Sequence, residues 1–225
     1  MIDGKPMVEH VYRRAIAAAR VDAVVVATDD RRVADVVSAF GGTAVMTSAE
    51  HVTGTDRLAE VATALESEIV LNVQGDEPLM TADAIDAVAA LLLSRPEDQM
   101  ATLRKRVDDM ADLETPSVVK MVVDNNGYAL YFTRSGIPFV RPGQPAPVFW
   151  RHLGLYAYRR PFLATLAGLP STPLEQAEGL EQLRALEHGY RISTAETSAD
   201  TIGVDTPEDL ERVRRLVTAG ASSLT

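Results

Sequence analysis

Cysteine is absent from all 225 residues, so disulfide frameworks, thiolate metal sites and cysteine nucleophiles are excluded. Positive charge is in deficit: 22 Lys and Arg stand against 32 Asp and Glu, a formal net charge of −10. That balance argues against a protein that coats nucleic acid. No apolar run approaches the ~18–20 residues of a membrane span, and the first residues do not read as a secretory signal. A P-loop, a G-x-S-x-G elbow and a dinucleotide-binding glycine fingerprint are all missing. What remains is ordinary globular composition, 46% hydrophobic and 24% charged, long enough to bury a large core without a staple. The expectation is a soluble, acidic, cytoplasmic α/β protein with neither nucleic-acid nor membrane partners.

Strands and helices alternate through the first half. Pro6 opens a helix-period stretch from Met7 to Arg20, where its missing N–H costs nothing. Ala23 to Thr28 is a short β-branched run of the kind buried in a parallel sheet. Asp29-Asp30 supplies a cap for the next helix, and Gly41-Gly42 stops it. Strands are expected at Thr43 to Met46 and Ile69 to Val73, and helices at Asp56 to Leu65 and Ala82 to Ser94. This spacing predicts a doubly wound sheet. The second half is richer in strands: Met100 to Val107, Val118 to Asp124, Ala129 to Thr133, Trp150 to Tyr158 and Arg191 to Glu196. Asn125-Asn126-Gly127 is a hairpin turn by its tolerance of positive φ. Leu174 to His188 reads as one helix with a solvated acidic face and a Glu181–Arg184 pair. Thr206 and Asp209 form a capping box before the last helix.

Ligands bind outside the carboxyl ends of strands in open parallel sheets. Asp76 follows the strand ending at Val73, and Asp205 follows Thr201-Ile202-Gly203-Val204. Two carboxylates in such places suit a hard cation such as Mg²⁺, which in turn suits phosphate substrates. Taken singly, a turn at Asp76 and a helix cap at Asp205 explain them better. In His51 to Arg57, Thr55 and Asp56 read as a helix start, which puts Arg57 in the first turn, where anions bind. An exposed arginine after a capped turn is the plain alternative. Period-2 alternation sets His152, Gly154 and Tyr156 on one strand face, fit for a small polar ligand or for ordinary core packing. The four histidines, His10, His51, His152 and His188, have no zinc-site spacing.

Five motifs in one order carry a resemblance: His51 to Arg57; Asn72-Val73-Gln74-Gly75-Asp76-Glu77-Pro78; Arg151-His152-Leu153-Gly154-Leu155-Tyr156; Leu180-Glu181-Gln182-Leu183-Arg184; and Gly203-Val204-Asp205-Thr206-Pro207-Glu208-Asp209. Together they resemble the 3-deoxy-manno-octulosonate cytidylyltransferase (CMP-Kdo synthetase) family, from Gly4 to about Leu216. The resemblance implies one nucleotidyltransferase domain over 1–225, built on a Rossmann-like, mostly parallel sheet. It also implies a smaller antiparallel lobe at about 118–158 through which a homodimer forms. The implied reaction joins CTP to the acidic sugar Kdo, giving CMP-Kdo and pyrophosphate for lipopolysaccharide biosynthesis. Asp76 and Asp205 would hold Mg²⁺ as the catalytic pair, and Arg57 would sit on the nucleotide side. Gln74, Arg134, His152, Tyr156, Glu181 and Gln182 would surround the sugar, Arg134 facing its carboxylate.

The family pattern begins with a strand and a basic loop, Arg-x-x-Ser-x-Arg-Leu-Pro-Gly-Lys-Pro-Leu, and then a second Gly-Lys-Pro-Met. This chain starts at the second element, Gly4-Lys5-Pro6-Met7, so Lys5 does not inherit the phosphate-binding role. The expectation is a sequence whose true start lies upstream, with weak or absent activity as written. The alternatives are a cytidylyltransferase for another acidic sugar, or a catalytically impaired binding or dimerisation homologue.

Overall fold

The early alternation is realised as a series of short elements. In the computed structural model, which describes residues 1–51 and 53–222, α1 is Met7–Ile16, β1 Val26–Thr28, α2 Arg31–Ala39 and β2 Ala44–Met46. Asp30 caps α2, its carboxylate accepting from the Arg32 N–H at 2.8 Å, which satisfies one of the orphan donors of a helix start. Gly41, at φ +81°, takes the left-handed turn after α2. β2 then returns parallel to β1 with Val26 opposite Ala44. α1 is shorter than its periodic pattern, because the N–H groups of Ala19 and Arg20 turn to the Asp86 carboxylate at 2.9 and 2.7 Å.

The remaining elements are α3 (Gly54–Ala62), β3 (Ile69–Asn72), α4 (Ala82–Ser94), β4 (Met100–Arg106), α5 (Ala111–Glu114), β5 (Lys120–Val123), β6 (Ala129–Thr133), β7 (Trp150–Arg159), α6 (Arg160–Gly168), α7 (Pro173–Glu178), α8 (Gln182–Glu187), β8 (Ile192–Glu196) and α9 (Pro207–Ser222). The chain divides into two compact units. One comprises Met1–Val52, Val73–Asp86 and Ala199–Thr225; the other comprises Thr53–Asn72 and Ala87–Ser198. The first unit holds the parallel β1–β2 pair. The second holds a six-stranded sheet in the order β6-β5-β7-β4-β8, with β3 also on β7. β7 is antiparallel to both β3 and β4, and β4 is parallel to β8. β3, β4 and β8 therefore share one direction, and β7 is the reversed strand among them. The β5–β6 hairpin turns where Asn-Asn-Gly predicts. Gly127 sits at φ +81°, and the Asp124 carboxylate accepts from the N–H groups of Asn126 and Tyr128.

The core of the second unit lies where β4, β5, β6 and β7 meet α6 and α8. Met100, Met121, Phe132, Tyr158, Phe162, Leu163 and Leu183 are all buried there. Lys120 is fully buried as well. Its ammonium donates to the carbonyls of Thr115 and Val118 at 2.9 and 2.7 Å and also to that of Arg134. These bonds replace the hydration that burial removes. Burial still pushes its pKa down, and the nearby Arg134 charge adds to the effect.

The long helix expected over Leu174 to His188 is two helices. Gly179, at φ +61°, breaks the run between α7 and α8. The expected Glu181–Arg184 pair is replaced by a bidentate one, Arg184 Nε to Glu175 Oε2 at 2.9 Å and Nη2 to Oε1 at 2.5 Å. Each of these two side chains is 9% exposed. Burial alone would raise the Glu175 carboxyl; Arg184, the Thr172 N–H and the Ser171 hydroxyl outweigh it and hold the group below its ordinary value. Leaving one partner unpaired in such a setting costs about 3–5 kcal/mol, so Arg184→Met should lower the urea-unfolding free energy by that amount. Because the folded pKa lies below the unfolded ~4.3, the stabilisation is complete above about pH 4.3. It is lost as pH falls through the folded value. An acid unfolding curve flattened in the Arg184→Met variant is the expected result.

Candidate active site

In the first unit the two acidic loops are joined by their backbones. Asp76 lies in the turn after β3, and its carbonyl accepts from the Val204 N–H at 2.9 Å. Gln74, exposed in the same loop, accepts from the Glu77 N–H at 3.3 Å. At the other loop, Thr206 caps α9: its hydroxyl accepts from the Asp209 N–H at 3.2 Å, and its own N–H reaches the Asp209 carboxylate at 3.0 Å. Thr206 does the capping, so the alternative that Asp205 serves as the helix cap does not hold. Asp205 is exposed just before it, and Asp76 is half-buried. Burial raises the Asp76 carboxyl above its ordinary value. Its own backbone opposes the rise, and the Asp205 charge adds to it. An Asp76 carboxyl whose charged form is disfavoured by burial and by a neighbouring acid gains from a cation. Among the described residues no group of three or more His, Asp or Glu gathers as a metal cage. A pair of carboxylates fits Mg²⁺, which takes one or two from the protein and the rest of its oxygens from phosphates and water.

In the second unit, α3 starts at Gly54, two residues earlier than expected. Thr53, rather than Thr55 or Asp56, is the cap; Asp56 is the acidic half of its box, and Val52 lies outside the described residues. Arg57 is half-buried in this helix, its N–H donating to the Thr53 carbonyl at 3.3 Å. The Thr55 hydroxyl donates to the Glu181 carboxylate at 2.6 Å, which ties α3 to the start of α8. Gln182 follows, buried, as the first residue of α8.

His152 and Tyr156 come together on β7, ring centroids 5.2 Å apart. The edge of Phe132 packs on His152 at 5.1 Å. The strand is not regular here: Thr102 pairs with Tyr156 while Leu103 pairs with Leu153, so the even alternation expected across His152, Gly154 and Tyr156 is interrupted by a bulge. Desolvation pushes the His152 imidazole down to about 3. Arg134 is exposed after β6 and is heavily engaged. Its N–H donates to Glu178 Oε2 at 2.9 Å, Nε to the Glu178 carbonyl at 2.8 Å, and Nη1 to the Pro116 carbonyl at 3.1 Å. Glu178 also takes the Thr133 hydroxyl at 2.6 Å. Burial would raise that carboxyl, but the Arg134 N–H, Thr133 and Tyr131 hydrogen bonds bring it below its ordinary value.

Sequence reading passed over Lys120 and Thr102 and left Glu178 on a solvated helix face; the three orient Arg134 and His152. The one visible signal was chemical: a lysine within Val118 to Val123, and a hydroxyl within the apolar start of β4. Nothing local marks Glu178, whose partners lie 44 and 45 residues away.

The family model described as "Cytidylyltransferase" matches residues 1–192. The 3-deoxy-manno-octulosonate cytidylyltransferase of Geobacter sulfurreducens is 52% identical, covering 94% of this chain and 89% of its own. That of Trichlorobacter lovleyi is 48% identical, covering 96% and 90%. A solved structure of CMP:2-keto-3-deoxy-manno-octonic acid synthetase complexed with CTP superposes with a TM-score of 0.93 at 45% identity, over 98% of this chain and 90% of that one. A 4-diphosphocytidyl-2C-methyl-D-erythritol synthase from Anaerococcus prevotii, 12% identical with a TM-score of 0.62, shares the fold alone. By its similarities the chain is a nucleotidyltransferase. The chain belongs to the 3-deoxy-manno-octulosonate cytidylyltransferase family of cytidylyltransferase enzymes.

The depressed His152 value gives a direct check. The ring should stay neutral between about pH 8 and pH 5, where an ordinary histidine titrates, with unchanged NMR ring shifts across that range. The unfolded chain protonates this ring near 6.5 and the folded one only near 3. Its contribution to stability is therefore complete above about 6.5 and is lost progressively as pH falls below that.

Proposed function

We propose that this chain joins CTP to Kdo, releasing pyrophosphate and forming CMP-Kdo for lipopolysaccharide biosynthesis. The observation that carries the reading is the Asp76–Asp205 pair, held by the Val204–Asp76 backbone bond, in a chain of this family. In the reaction the anomeric hydroxyl of Kdo attacks the α-phosphorus of CTP. A new P–O bond forms as the hydroxyl proton is lost to water, and the bond to the bridging oxygen breaks in line, that oxygen leaving with pyrophosphate. Phosphoryl and nucleotidyl transfer of this kind depend on positioning and charge neutralisation. Asp76 and Asp205 would hold Mg²⁺, which when bound neutralises phosphate oxygens. Arg57 contacts the nucleotide as a fixed cation near the start of α3.

Gln74, Arg134, His152, Tyr156, Glu181 and Gln182 bind and orient the sugar. Arg134 has Nε and one N–H of Nη1 committed to carbonyls. Its Nη1–Nη2 edge is what remains for the two-point contact a carboxylate prefers. The net charge of −10 makes these local cations and the metal more necessary for two anionic substrates. Formation of a homodimer is supported by Leu130, Phe139 and Val148, large apolar side chains exposed within or beside the 118–158 lobe. Use of CTP supports a cytoplasmic site of action, and no helix among the described residues is long and apolar enough to cross a membrane.

The test is pyrophosphate release from CTP plus Kdo with and without Mg²⁺, alongside other acidic sugars. Metal-dependent release with Kdo preferred is the expected outcome; no release with Kdo, or faster release with another acid, overturns the reading. Removing one charge-stabilising group from such a site costs roughly 10²–10³ in rate. Asp76→Asn and Asp205→Asn should each lose at least about that much while retaining the wild-type unfolding midpoint.

A further inference from the structure

Thr102 is fully buried on β4 opposite Tyr156, and its hydroxyl has one proton for three polar neighbours. The Leu155 carbonyl oxygen is 2.8 Å away, the Leu153 carbonyl oxygen 3.2 Å and His152 Nε2 3.0 Å. Carbonyl oxygens can only accept. An oxygen–oxygen separation of 2.8 Å is a hydrogen-bond distance and is repulsive if no proton lies between. The hydroxyl proton is therefore directed at the carbonyls of the bulge, and the Thr102 oxygen is left to accept. Its remaining neighbour, His152 Nε2, must then be a donor.

A neutral imidazole carries one proton. If Nε2 holds it, Nδ1 is an acceptor, and among the described residues Nδ1 has no hydrogen-bond partner. The ring is also fixed in place. The His152 backbone N–H donates to the Val119 carbonyl at 2.8 Å, the Phe132 edge meets the ring at 82°, and Tyr156 lies beside it at 44°.

We propose that Thr102 is a positioning residue that locks His152 in the Nε2–H tautomer and so presents Nδ1 as a hydrogen-bond acceptor to a hydroxyl of the sugar acid. The sugar contact rests on the function proposed above; the tautomer does not. The consequence for specificity is a sign: an acceptor at this point selects an O–H or N–H group and disfavours a carbonyl or carboxylate oxygen. An Nδ1–H tautomer would select the opposite.

Long-range proton–nitrogen spectra of the full ¹⁵N-labelled chain at neutral pH read the tautomer directly. The expected result is a protonated Nε2 and an unprotonated Nδ1. Thr102→Val removes the hydroxyl while keeping the side chain's shape. It should redistribute the ring between tautomers and raise KM for Kdo about three- to tenfold, the range of one neutral hydrogen bond. KM for CTP should stay within about twofold on the same scale. Thr102→Ser restores the hydroxyl and should return both the tautomer and the KM. An Nδ1–H ring in the wild-type chain overturns the proposal without any variant. So does a valine variant with unchanged tautomer or unchanged KM for Kdo. A wild-type chain that releases no pyrophosphate from CTP and Kdo overturns the function and the sugar contact with it. The wrong tautomer in an active chain overturns the role of Thr102 alone.

Discussion

β7 cannot be reversed or shortened without unpairing three other strands. Trp150 to Leu153 and Tyr156 to Tyr158 pair with β4 along one edge, while the other edge serves β5 at Trp150 and Arg151 and β3 from Tyr156 to Arg159. Backbone groups inside a core must be paired, so the length and direction of this one strand decide where the others run. Being antiparallel to its neighbours, it lets β3 and β4 point the same way while lying on either side of it. Its bulge falls between the β5-paired and β3-paired portions, at the residues from Leu153 to Tyr156. His152 immediately precedes that irregularity and Tyr156 closes it. The packing that steers His152 is thus a by-product of the way one strand serves three partners.

Much of this architecture was legible because its signals are local. Ala129–Thr133 and Ala82–Ser94 stand where the apolar pattern placed them, and the Thr206–Asp209 box needed only four residues of sequence. The failures have physical causes. Alternation assumes an unbroken ladder, and the bulge at Thr102 breaks it. The single helix expected over Leu174 to His188 was split because left-handed Gly179 outweighed helical periodicity on both sides. The site shows the same division. Asp76 and Asp205 could be found as acids in loops after apolar strands, but their coupling through the Val204 amide joins positions more than 120 residues apart. No spacing rule reaches that far.

Burial of polar groups follows one logic throughout. Lys120, Glu175 with Arg184, Thr102 and Glu178 are each surrounded by partners that replace water, as buried polar groups require. Asp205, in contrast, is exposed, and Asp76 is only half-buried and pushed toward its protonated form. Polar groups with saturated partners hold the scaffold rigid. The acids with spare coordination capacity are those assigned to a cation and its phosphates.

The left-handed turn at Gly179 has a further effect on the two acids that flank it. Residues three apart on one continuous helix share a face, so Glu178 and Glu181 would have crowded side by side and repelled each other. The turn divides them: Glu178 reaches Thr133 and Arg134 at the end of β6, and Glu181 reaches Thr55 on α3. A residue without a side chain thereby acts as a sorting point for charge, sending one anion to anchor the arginine and the other to anchor the helix that carries Arg57. Any side chain at that φ would bear a left-handed strain of about 1–2 kcal/mol. Relieving that strain by continuing the helix would bring the two anions back onto one face and release both anchors together.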